Sequence, residues 1–173
     1  LAFAAPALSA AAAVALLLGA PDRVAPGLAT AAAVLYTLST AVLLRRHIEP
    51  ALVVMIAGGA ALMVAGATWW RGGGLPAVVP WWMAFLGLTI VGERLEIIRF
   101  QRFSAVALFA GLVVLAALTG GVIATIWSTD LGTRAMGIAL LLGPVWLVPR
   151  DIAHRTVRTD GLARFAAAGV LTA

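Results

Sequence analysis

Residues 81–103 read WWMAFLGLTIVGERLEIIRFQRF. Up to Val91 the stretch carries no charge, and then Glu93, Arg94, Glu96, Arg99 and Arg102 crowd into its last dozen residues. A Trp pair of the kind enriched at membrane–water boundaries opens it, and basic residues close it. The stretch reads as a membrane helix on its way out of the lipid. The rest of the chain is built from runs of the same kind, so its reading decides the fold.

Composition agrees. Of the 173 residues, 63% are apolar and 11% are charged, whereas a soluble domain carries about a quarter charged residues. Such a chain would expose large apolar patches to water, so its natural solvent is a bilayer. All 12 basic residues are Arg, which reflects a GC-rich coding bias as much as chemistry. These Arg are scattered among loops with no basic face, which argues against nucleic acid as a partner. Without a Cys, disulfides, thiolate metal sites and thiol nucleophiles are excluded.

Seven apolar segments are expected: 1–20, 27–44, 51–70, about 79 through the quoted stretch, 104–127, 131–148 and 161–173. A spanning helix needs about 20 residues, and the last segment is too short. The chain also starts at Leu1 with no Met or basic leader. The expectation is an all-α, polytopic transmembrane bundle forming one domain over 1–173, with its last segment truncated, cut from a longer membrane protein.

Arginine counts give an orientation. The odd loops hold Arg23, Arg71 and Arg134. The even loops hold Arg45 and Arg46; Arg94, Arg99 and Arg102; and Arg150, Arg155 and Arg158. By the positive-inside rule the even loops and the N-terminus lie in the cytoplasm, in what reads as a bacterial inner membrane. On the third segment Ala57, Ala61 and Ala65 recur every four residues beside Gly58, Gly59 and Gly66, a spacing that lets helix backbones approach closely. Gly143–Pro144 is a candidate kink of the sixth segment.

The candidate site is the quoted stretch. With Trp82 at the outer interface, Glu93 lies about 16 Å and Glu96 about 21 Å deeper, inside a core about 30 Å thick. Thr89, Glu93 and Glu96 share one helical face, Arg94 points about 100° away from Glu93, and Arg99 can pair with Glu96. An intramembrane carboxylate is costly and is retained facing a bundle interior, often on a proton or ion path. Glu93 is therefore expected to face the interior. The competing reading is a wet helix end at which ERLE begins the inner loop. His47 and His154 are candidate haem ligands from two helices, with Arg46 and Arg155 for the propionates. Both lie at helix ends rather than within a span, so no haem or other cofactor and no metal is expected.

The Trp pairs 69–70 and 81–82 flank a Gly-rich turn. They read as an outer aromatic belt, or as a platform for a flat ligand such as haem or a quinone. No nucleophile elbow, zinc motif or phosphate loop is present, so the chain is not expected to be an enzyme by itself. Two functions remain. One is a proton- or ion-coupled carrier using Glu93 and Glu96. The other is a non-transporting membrane subunit or anchor of a redox complex, with the bilayer and other membrane subunits as partners.

Overall fold

A computed structural model describes residues 3–98 and 105–147. These form six helices: α1 (Ala4–Leu17), α2 (Val24–Arg46), α3 (Pro50–Trp70), α4 (Leu75–Ile98), α5 (Ala105–Ala124) and α6 (Thr129–Leu147). The seventh expected segment, with Arg99, Arg102, Arg150, His154, Arg155, Arg158 and Arg164, lies outside the described residues. The all-helical class therefore holds, with six helices among the described residues in place of seven segments. Four of them, α2 to α5, are long and apolar enough to cross a membrane.

The ends are written locally. α1 and α3 stop at glycines with positive φ, Gly19 at +66° and Gly72 at +84°. At each stop two amides turn back onto the helix. Ala20 N–H donates to Ala15 and Gly19 N–H to Leu16; Gly73 N–H donates to Thr68 and Gly72 N–H to Trp69. Both are Schellman closures, which need a left-handed residue after the helix. Pro50 occupies the first turn of α3, where a missing N–H costs nothing. Arg45 and Arg46 sit in the last turn of α2, where positive charge suits the helix dipole. The Ser128 hydroxyl accepts from Leu131 N–H at 3.4 Å, a long cap at the start of α6.

Neighbours in sequence are neighbours in space. α1 rests on α2, α2 on α3, α3 on α4 and α5 on α6, while α4 joins the α5–α6 hairpin to the rest. The core at that junction comprises Ala61, Ala84, Leu88, Leu118, Val122, Met136 and Ala139. The helix backbones approach closely where side chains are absent. A Cβ placed at Gly59 would meet Thr37, and one at Gly66 would meet Thr30. Two glycines seven apart on α3 thus receive two threonines seven apart on α2, running antiparallel. Both threonine hydroxyls are satisfied on their own helix, donating to Ala33 O and Pro26 O at 2.8 Å. In the α5–α6 hairpin the buried Trp146 indole N–H donates to Ala107 O at 2.7 Å. Its ring occupies the space over Gly111, where any side chain would collide with it.

The radial pattern is the reverse of a water-soluble protein's. Ala65 and Ala84 are 0% exposed, while Phe109 and Leu141 are 69% and 74% exposed. Many inward positions are Ala or Gly beside a few larger residues such as Leu88, Leu118 and Trp146, and many large aliphatic and aromatic side chains face outward, as expected where lipid is the solvent and packing holds helices together. The expected repeat at 57, 61 and 65 lies on the packed side of α3, with Ala61 and Ala65 buried and Ala57 against the core. α6 runs on as helix through Pro144.

These contacts distinguish glycines that are needed from glycines that are not. Gly59→Val should lower the thermal stability in detergent by an overpacking cost of about 1–3 kcal/mol. Gly137→Ala, which would meet nothing within 4 Å, should leave stability unchanged or raise it by up to about 1 kcal/mol. Unfolding midpoints of the two variants check both.

Candidate functional site

The acidic stretch and the aromatic pairs end up at opposite ends of α4. α4 starts at Leu75, some four residues before the sequence suggests. Counted from there, Glu93 lies about 27 Å along the helix axis, close to the full thickness of a hydrocarbon core. The packing puts it at the same level. Gly92 lies against Met55 and Ala51 in the first turns of α3. Glu93 projects about 100° round from Gly92 and is exposed. Glu96 lies beyond the point where α3 begins, and it too is exposed.

The expectation that Glu93 and Glu96 share the bundle interior with Thr89 is therefore corrected: both carboxylates lie at the surface, near the end of the helix. Thr89 alone of the three packs inward. Its hydroxyl is buried beside Gly58 and has no hydrogen-bond partner among the described residues. Arg94 is half-buried. Arg99 lies outside the described residues. His47 is exposed and follows the last residue of α2; His154 is outside the described residues, so their pairing is not addressed by the fold. Among the described residues no group of three or more His, Asp or Glu is placed to hold a metal.

At the other end α1 leans on α2 and leaves a cavity of about 440 Å³ between itself and the α3–α4 pair. Its α1 and α2 walls are mostly small, including Ala5, Ala12, Ala29 and Ala32, with Ser9 between them. Four aromatic side chains complete it: Tyr36 from α2, Trp69 from α3, and Trp82 and Phe85 from α4. They meet edge to face in two pairs. Tyr36 and Phe85 have ring centroids 5.6 Å apart, and Trp69 and Trp82 are 5.8 Å apart. This is the preferred geometry of aromatic quadrupoles. No charged side chain among the described residues lines the cavity. The Tyr36 hydroxyl is buried and has no hydrogen-bond partner among the described residues. Beyond Trp69 and Trp82 a smaller cavity of about 220 Å³ reaches the Gly73–Gly74 turn.

The four tryptophans of the two pairs therefore do different things. Trp70 is exposed and its ring covers Gly27. Trp81 packs on the core. Trp69 and Trp82 are cavity walls. Sequence reasoning missed Tyr36 and Phe85. The available signal was that Tyr36 is the one tyrosine of the chain, set within an apolar helix where its hydroxyl needs a partner.

Such a site is concave, mostly apolar and within the volume range of small-molecule sites. It suits binding of an uncharged, lipophilic molecule, and its described lining holds no acid–base pair or nucleophile. Over residues 1–173 the chain matches the family described as Domain of unknown function (DUF8744), and it belongs to that family. No curated protein and no solved structure matches it.

Placement of Glu93 at a helix end has a direct consequence. A spin label at position 93 should be accessible to a water-soluble relaxation agent, while labels at 86 and 141, on exposed apolar positions, should respond to oxygen dissolved in lipid. Glu93→Gln and Glu93→Ala should each leave detergent stability within about 0.5 kcal/mol of the parent, as surface substitutions do.

Proposed function

We propose that this chain is a multi-pass protein of a bacterial inner membrane that holds a lipophilic molecule in the cavity between α1 and α4, as a non-transporting subunit or anchor beside other membrane components. The observation that carries the reading is the cavity itself: apolar, aromatic-walled, free of charged side chains among the described residues, and bounded on one side by a single helix resting on α2. Bilayer-facing helices supply the setting, since four of them are long and apolar enough to span.

The proposed orientation keeps the even loops and the N-terminus in the cytoplasm, on the Arg asymmetry. The cavity then lies in the outer half of the membrane, near the turn after Trp70. The carboxylates and His47 lie at the cytoplasmic end. A second reading, a proton- or ion-coupled carrier, draws on the unpartnered Thr89 hydroxyl one helical turn from Glu93. The surface position of both carboxylates weighs against it.

Two measurements test the proposal. Because the sequence has no Cys, single cysteines can be introduced on a clean background. An impermeant thiol reagent applied to intact cells should label position 71 and spare 45, 102 and 155; the opposite pattern overturns the orientation. For the ligand, protein purified in mild detergent should release a lipophilic molecule on solvent extraction, at near-equimolar amount by mass spectrometry. Ala29→Phe, which fills the cavity from α2, should lose it. Identical extracts from the two proteins would refute the reading.

A further inference from the structure

We infer that Arg45 and Arg46, at the end of α2, form a binding site for the phosphate of an anionic phospholipid. The first ground is position. α2 runs 23 residues from Val24 to Arg46, about 34 Å at the rise of an α-helix, against a hydrocarbon core about 30 Å thick. Its last turn therefore surfaces at the level of the lipid phosphates. The short turn into α3 begins at the same level, and there His47 and Ile48 are exposed. Ile48, at 91% exposure, offers an apolar side chain to the head-group layer.

The second is direction. Along α2, Ala31, Val34, Leu38 and Val42 are exposed at intervals of three and four residues, so they form one stripe of the helix surface. Leu38 and Val42 are 57% and 50% exposed. Arg45 and Arg46 follow Val42 by three and four residues and are exposed too, so they continue that stripe. The side of α2 that meets lipid tails thus ends in two adjacent guanidinium groups. A lipid lying along Leu38 and Val42 has its head at the arginines.

The third is pairing. Among the described residues neither guanidinium has an ion-pair or hydrogen-bond partner. Arg134, by contrast, is held by Asp130 at 3.0 Å, and Arg94 is engaged as well. Glu93 and Glu96, at the same end of the bundle, belong to α4, which packs chiefly on α3. Long stems let both charges of α2 stand clear of the negative end of its dipole. A guanidinium presents a fork of donors that matches two phosphate oxygens. A zwitterionic head carries its own ammonium beside the phosphate, so two unpaired arginines favour a head group with no cation of its own.

The test titrates the whole chain, in a mild nonionic detergent, with phosphatidylglycerol or with phosphatidylcholine of the same acyl chains. Apparent affinity is read from the concentration dependence of thermal stabilisation. The parent protein should prefer phosphatidylglycerol, and the preference should shrink as salt is raised. Arg45→Gln/Arg46→Gln should weaken phosphatidylglycerol about thirtyfold, the worth of two basic residues at an anionic surface, and leave phosphatidylcholine unchanged. Arg71→Gln/Arg134→Gln, which removes the same net charge elsewhere, should keep the preference. Should the first double variant fail to fold, Arg45→Gln alone should show about a fivefold loss. A parent without a preference, or one whose preference is indifferent to salt, overturns the site. So does a preference that survives loss of Arg45 and Arg46, or one that Arg71→Gln/Arg134→Gln abolishes equally. Inorganic phosphate that stabilises the parent as well as phosphatidylglycerol does at equal concentration overturns the lipid assignment in favour of a general anion site.

Discussion

The arrangement of this bundle turns on one place, the adjacent glycines 58 and 59 in the middle of α3. Successive residues on a helix point about 100° apart, so the pair opens two faces at a single level. Gly58 admits α4, with Phe85 O and Leu88 Cβ each 3.3 Å from where its Cβ would be. Gly59 admits α2 through Tyr36 and Thr37. α3 is thus wedged between two neighbours at backbone distance, and the register of three helices is set together. The consequences reach outward. Gly66 repeats the contact with α2 toward one end, and Gly92 repeats the contact between α3 and α4 toward the other. The aromatic pairs take their positions from the same registers.

Attraction among apolar side chains cannot explain such packing where the solvent is itself apolar. Lipid tails offer a leucine what another leucine would. What the interior offers instead is closeness, which small residues permit and which dispersion rewards. The cost is volume. A bundle tightened around α3 leaves little to pack at its margin, and α1, whose inward face is mostly alanine, touches α2 without filling the space toward α3 and α4. The cavity is the space this arrangement leaves, and four aromatic rings line it from α2, α3 and α4.

Much of this was legible in the sequence. The Ala57–Ala61–Ala65 repeat announces the packed side of α3. Two things were not legible, for physical reasons. α4 starts at Leu75 because proline in a first turn costs no hydrogen bond, and Pro80 is accepted deeper in the helix, as membrane helices allow. Taken as loop, Gly-Gly-Gly-Leu-Pro shortens the helix and places Glu93 too deep. Tyr36, though the one tyrosine of the chain, is a lone aromatic on an apolar helix and carries no periodicity that would tie it to other residues. Its significance comes from the lean of α1 and the proximity of Phe85, which belong to tertiary packing. The seventh segment, Arg99 and His154 fall outside the described residues.

The paired threonines and glycines of α2 and α3 bear on how this chain can change over time. At positions 30 and 66, and at 37 and 59, the space on one helix is the complement of the side chain on the other, and neither member can enlarge alone. Drift at these sites must come in couples: a bulkier residue on α3 tolerated only after its opposite on α2 has shrunk to alanine or glycine. Each couple preserves the antiparallel offset, so a lineage could exchange the members of both and still inherit the same helix register. Among relatives of this chain, correlated substitution at 30 with 66 and at 37 with 59 would be the historical trace of a contact that no single residue can maintain.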